Sequence, residues 1–247
     1  MSGHSKWATI KRKKEKTDSA RGKVFSKLIK EITIATRMGG GDEGSNPRLR
    51  TAIATAKAAN MPANNIERAV MKGTGELPGV SYEEVAYEAY GPGGTALLIE
   101  VLTDNRNRTV SEIRHMIGKH GGNLGENGSV AYMFQRQGTI AVSTSAVDEE
   151  TLMMIILDAG AEDMETDDDM FQVTTSPEAM DDVRAAIEKE EIAIESAVVE
   201  KVPQTYIAVE GNQAKQVIRL MEALDDHDDV QQVWSNFDID DDMFDDE

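Results

Sequence analysis

The chain contains no cysteine. Disulfides, thiolate nucleophiles and cysteine-ligated zinc are excluded together, and a reducing compartment is the natural fit. Aromatic residues are only 5% of the chain, so Val, Ile, Leu, Ala and the thirteen methionines must fill the core. Long apolar runs are missing too. The longest, such as 96–99 and 152–157, fall far short of the roughly 20 residues that cross a bilayer. The opening MSGHSKWATIKRKK lacks the apolar stretch of a secretory signal, and Ser2 stands where N-myristoylation needs glycine. The expectation is a cytoplasmic protein with no membrane contact.

Catalytic and metal-binding signatures are equally scarce. His115 and His120 are five apart and cannot share a helix face, and no H-E-x-x-H occurs. Asp238, Asp240 and Asp242 imitate the start of a calcium loop, but Met243 stands where that loop needs its turn glycine. The glycine-rich stretches 91–94 and 121–125 lack the G-x-x-x-x-G-K-[ST] pattern and read as turns. No nucleophile–base pair stands out. The chain is expected to be no enzyme, with no metal, cofactor or small-molecule substrate.

What the chain does have is a charge asymmetry. Residues 1–75 carry sixteen Lys/Arg against six Asp/Glu, a net +10, whereas residues 76–247 carry ten against thirty-nine, a net −29. The pI of about 4.6 argues against a polyanion partner for the molecule as a whole. A local +10 argues for one, and for separate domains with separate jobs.

Residues 1–20 are polar and basic, with Trp7 and Ile10 as isolated apolar positions, and read as a mobile arm. A helix follows over 18–38, with Val24, Phe25, Leu28, Ile29, Ile32 and Ala35 on one face and Lys23, Lys27, Lys30 and Arg37 on another, ended by Gly39–Gly41. Asn46 caps a second helix with Pro47 at its first position, and Pro62 opens a third over 63–72. Beyond residue 80 the period changes. A hairpin over 85–102 and a helix over 108–120 precede strand, helix, strand, strand, helix, strand between 139 and 200, which is the ferredoxin-like order. Strand, helix and strand over 206–237 close the chain. The pieces flanking the ferredoxin-like unit are each too small for a core. The layout is therefore a basic helical domain over 1–77, a discontinuous α/β domain from 78–130 plus 204–238, an inserted domain over 131–203, and an acidic tail over 239–247 read as disordered.

The candidate nucleic-acid contacts are His4, Lys6, Trp7, Lys11, Arg12, Lys13, Lys14, Lys16 and Arg21 in and beside the arm. Lys23, Lys27 and Lys30 on the first helix and Arg48 and Arg50 at the start of the second extend them. Flexible cations meet phosphate at low sequence specificity, and Trp7 is placed to stack on a base or ribose. The competing reading is a solvated charge run, or an arm docked on the acidic body of its own chain. Helices 47–60 and 63–72 make a helix-turn-helix candidate, with Asn64, Asn65, Arg68 and Lys72 on its second helix. Arg106 and Arg108 sit at a helix start, a favourable anion position. The alternative there is a plain capped start, with Asn107 or Thr109 as cap and Asp104 paired to an arginine.

MSGHSKW, ARGKVFSKLIKEI, the GGG…NPRLR run, EAYGPGGTA, DNRNRT and GGNLG…GSVAYMF occur in series. In these six motifs, and from Ser2 to about Phe237, the chain resembles the YebC/PmpR family, which includes a mitochondrial translational activator. The resemblance implies a helical N-terminal bundle followed by two α/β domains, the third inserted in the second. It implies a non-enzymatic regulator of gene expression: a transcriptional regulator on DNA or, alternatively, a ribosome-associated translation factor on ribosomal RNA or tRNA.

Overall fold

Three helices open the described part of the chain. The computed structural model describes Trp7, residues 20–167 and residues 169–239. Helix α1, Ala20–Gly39, buries Ile32 and Ala35 and packs Phe25, Leu28 and Ile29 on the same core, whereas Val24, expected on that stripe, is exposed. Helix α2, Pro47–Ala58, begins where the Asn46 side chain accepts from Leu49 N–H at 3.1 Å. The Asn46 amide also donates to the carbonyls of Ala35 and Gly40, both at 2.8 Å. One side chain thus closes the start of α2 and the end of α1, and a Cβ on Gly39 would lie 2.6 Å from its nitrogen. Helix α3, Ala63–Thr74, ends in a left-handed Gly75, with φ of 85°. Leu49, Ile53, Met61 and Ile66 complete the bundle core.

Strand β1, Glu83–Tyr90, pairs antiparallel with β2, Ala96–Thr103, so that Val85, Tyr87 and Ala89 stand opposite Val101, Ile99 and Leu97 on one face. Helix α4, Arg106–Lys119, and the short β3, Asn123–Leu124, follow. On the opposite face the buried Glu88 carboxylate accepts the backbone N–H groups of Gly128, Val130 and Ala131 at 2.6, 2.6 and 2.7 Å.

Next come β4 (Phe134–Ser143), α5 (Glu149–Asp158), β5 (Asp163–Asp167), β6 (Met170–Thr175), α6 (Met180–Lys189) and β7 (Ile194–Pro203). Their sheet order is β5-β6-β4-β7 with every pair antiparallel, which is ferredoxin-like topology. Ile140, Leu152, Ile156, Phe171, Val173, Val183 and Ile187 form its core. Tyr132–Tyr206 is a compact unit, and its ends meet where Gln204 N–H donates to the Met133 carbonyl at 2.9 Å.

The chain then adds β8 (Ile207–Ala208), α7 (Gly211–Asp225), β9 (Val230–Ser235) and β10 (Phe237–Asp238). β9 joins β2, giving the order β3-β1-β2-β9, and β10 pairs parallel with β8. Ile113 and Ile117 of α4 and Val217, Leu220 and Leu224 of α7 cover the Tyr87 face. The fold is the expected one: a helical N-terminal region, then two α/β domains, the ferredoxin-like one inserted in the other. The helical segment keeps a core of its own and is compact together with the flanking α/β part. Ile239, expected in the tail, is 1% exposed in the α/β core, and residues 240–247 lie outside the described ones.

Candidate nucleic-acid interface

Lys23, Lys27 and Lys30 share one face of α1, as their spacing requires, and that face meets the acidic turn after α7. Lys23 Nζ lies 3.2 Å from the Asp226 carboxylate. Lys27 donates to the Asp225 carbonyl at 2.6 Å and stands 3.6 Å from its carboxylate. Lys30 reaches Asp229 Oδ1 at 2.6 Å and the Asp228 carbonyl at 2.9 Å. The turn follows a helix C-terminus, where free carbonyls already favour cations. The lysine stripe expected to face phosphate therefore faces the protein's own carboxylates.

Asp229 is the hub of that contact. Its Oδ2 accepts from Arg108 at 2.6 Å, Thr109 Oγ1 at 2.7 Å and Thr103 Oγ1 at 3.2 Å. Burial alone would push its carboxyl up. The hydrogen bonds from Lys30, Thr109 and Arg108 overcome that and hold it well below the usual carboxylate range. Arg108 also pairs with Asp104 at 2.9 Å, and these partners raise its pKa. The cap of α4 is Asn105, whose Oδ1 accepts from Arg108 N–H at 3.1 Å, and not the expected Asn107 or Thr109. His227 Nδ1 accepts from Asp229 N–H at 3.1 Å, so Nε2 carries the proton and donates to Glu112 at 2.9 Å.

Arg48 is also spent internally. It holds Glu31 through two bonds of 2.7 and 3.0 Å and reaches Glu84 on β1, and the Glu31 bond leads in raising its pKa. Arg37 donates to Ser81. Arg50 is exposed and donates to the Glu43 carbonyl at 3.1 Å. Trp7, expected on a base or ribose, is 8% exposed and belongs to the core beneath α4 and α7. Its ring is packed into protein. His4, Lys6, Lys11, Arg12, Lys13, Lys14 and Lys16 lie outside the described residues, as does the Arg21 side chain.

Exposed cations remain on three helices. Arg50 and Lys57 flank Thr51, Ala54, Thr55 and Ala58 on α2, Arg68 and Lys72 stand on α3, and Arg106, Arg114 and Lys119 stand on α4. Lys57, Arg114 and Lys119 were passed over in the sequence, although their helical spacing and the lack of acids beside them were legible.

Comparison with known proteins agrees with this architecture. Residues 5–76 match the TACO1/YebC protein N-terminal domain, and residues 82–237 match the TACO1/YebC second and third domain. A protein of Desulfatibacillum aliphaticivorans is 59% identical over 242 residues, covering 98% of each chain. One of Desulforapulum autotrophicum is 56% identical over 245 residues, covering 99% of each. Both are named probable transcriptional regulatory proteins. The crystal structure of a conserved hypothetical protein from Aquifex aeolicus is similar, with a TM-score of 0.85 and 50% identity over 96% of this chain and 98% of that one. The chain is thus a three-part protein with a helical head and two α/β domains. It belongs to the TACO1/YebC family.

Proposed function

We propose that this protein is a regulator of gene expression that binds nucleic acid through its N-terminal region and acts by binding, without catalysis. One observation carries the reading: internal pairing takes up only part of the net +10 of residues 1–75, and four cations of its described helices stay exposed. Lys23, Lys27, Lys30 and Arg48 are held by the protein's own acids, while Arg50, Lys57, Arg68 and Lys72 are exposed. The arm adds Lys6, Lys11, Arg12, Lys13, Lys14 and Lys16. Small side chains between Arg50 and Lys57 leave room for a phosphate backbone to approach α2. The names of the relatives support the regulatory role, and with it duplex DNA as target.

A second reading, a translation factor on ribosomal RNA or tRNA, is favoured by the exposed face of α3. There Glu67 stands among Asn64, Arg68 and Lys72, a poor set for reading base edges in a major groove. Sedimentation of cell extract at low salt, with the full chain and with a chain lacking residues 1–16, separates the two. Co-migration with ribosomes that is lost on truncation selects RNA. Absence from ribosomes together with a protected duplex in footprinting selects DNA. Binding to neither overturns the proposal. If six to ten phosphates are met, affinity for duplex DNA should fall by about 10³–10⁵ between 50 and 200 mM salt.

A further inference from the structure

Arg37 and Lys72 sit in the last turns of α1 and α3, where a cation ordinarily holds the free carbonyls of its helix. Here other donors have taken that duty. The Asn46 amide binds the Ala35 and Gly40 carbonyls, and Gly40 N–H donates to the Thr36 carbonyl at 2.8 Å. At the end of α3, Leu77 N–H and Thr74 Oγ1 donate to the Met71 carbonyl at 3.0 and 3.1 Å. Both cations are therefore left over. Among the described residues the Arg37 side chain binds only the Ser81 hydroxyl, and the Lys72 ammonium makes no hydrogen bond or ion pair.

The two cations line one cavity. Its volume is about 460 Å³, and it lies between the ends of α1 and α3 and the segment 73–82 that leads into β1. Small-molecule sites span roughly 300–1,000 Å³. A Cβ on Gly79 would lie 3.2 Å from Lys72 Cβ and 3.3 Å from its Cγ, so the lysine stem packs along the Gly79 backbone. No Asp or Glu lines the cavity. Glu76, the one acid of the segment, accepts from Thr74 Oγ1 at 3.0 Å and stands outside the lining. The Ser81 oxygen accepts from Arg37, so its own proton remains to be donated. Leu77, Pro78 and the Tyr82 ring add an apolar wall.

Two cations and a hydroxyl donor, with no carboxylate on the lining, suit a doubly charged oxyanion. A phosphate monoester carries about −1.5 to −2 at neutral pH, whereas each backbone phosphodiester carries a single charge. The cavity also has room for the body to which the phosphate is attached, and an aromatic ring to stack on it.

We propose that this cavity binds a nucleoside 5′-monophosphate, either free or as the 5′-phosphorylated end of a strand. The phosphate meets Arg37, Lys72 and Ser81, and the sugar and base lie against Leu77, Pro78 and Tyr82. The assignment does not rest on the preceding functional reading, since a free nucleotide would bind whether or not the protein meets a polyanion.

The test is calorimetric titration of the full chain and of Arg37→Gln, Lys72→Gln and Arg50→Gln. The probes are the four ribonucleoside 5′-monophosphates, adenosine, ribose 5-phosphate and inorganic phosphate. At least one monophosphate is expected to bind the native chain and Arg50→Gln alike. Arg37→Gln and Lys72→Gln should each weaken it about ten- to a hundredfold, the effect of one lost charged contact. Binding of no monophosphate, or binding that both variants keep, overturns the site. Equal binding of ribose 5-phosphate or inorganic phosphate overturns the nucleoside assignment, and equal binding of adenosine overturns the role of the phosphate. An RNA oligonucleotide with and without its 5′-phosphate separates the two sources. A gain from the phosphate that Lys72→Gln lacks assigns a strand end, and no gain assigns a free nucleotide. Nucleic-acid binding without monophosphate binding overturns this inference alone. Monophosphate binding without nucleic-acid binding supports it and overturns the functional reading instead.

Discussion

Asp229 shows how much one residue can hold. Its carboxylate, 3% exposed, takes two cations and two hydroxyls from α1, β2 and α4. Asp229→Ala would leave Lys30 and Arg108 facing each other without a counter-charge, and urea denaturation should show a loss of about 3–5 kcal/mol. Asp226→Asn removes only an exposed partner of Lys23 and should stay within about 0.5 kcal/mol. The folded carboxyl of Asp229 lies below the ordinary value of about 3.9, so its contribution is complete above that pH and drains away as pH falls toward the folded value. The stability gap between the native chain and Asp229→Asn should therefore be constant from pH 7 to 5 and shrink on acidification below 4.

At the scale of elements, Asn46 joins two helices. Asn46→Ala removes a cap and two bonds to carbonyls, and a loss of about 2 kcal/mol is expected in thermal or urea unfolding. This cap was legible in the sequence, because Asn-Pro before an apolar repeat is a local signal. So were α1 to within about two residues and the ferredoxin-like order, since periodicity is local as well. The fate of the α1 lysines was not legible. Lys27 and Lys30 find their partners 198 and 199 residues away, beyond the reach of any spacing rule. A lysine stripe looks the same in sequence whether it meets phosphate or a carboxylate turn. Trp7 was misleading for a related reason: one aromatic in a polar run has no period to show that it is buried. Asn105 lost to Asn107 and Thr109 as the expected cap because all three lie within one turn, and only the backbone decides among them.

At the scale of the molecule, charge is partitioned between bodies. The Tyr132–Tyr206 unit carries four Lys/Arg against eighteen Asp/Glu, a net −14, around a core of its own. Expressed alone, it should unfold in a single cooperative transition and flow through a heparin column at 50 mM salt. The chain with residues 132–206 replaced by a short glycine linker should be retained, because the backbone pair between Met133 and Gln204 brings the two ends of the insertion together. Like-charge repulsion would keep the acidic unit off phosphate and so orient the protein on the nucleic acid proposed as its target.

The Glu88 carboxylate has a consequence for the glycine-rich loop that follows β3. Three converging backbone amides at 2.6 to 2.7 Å are what an anion receptor offers a guest. Here the guest is covalently attached to the host, at an effective concentration that no dissolved phosphate can match. The loop is a receptor sold with its ligand inside, which is why its glycines shape a turn and recruit nothing. Glu88→Ala would vacate it, and the emptied amides would then bind the first small anion that reached them.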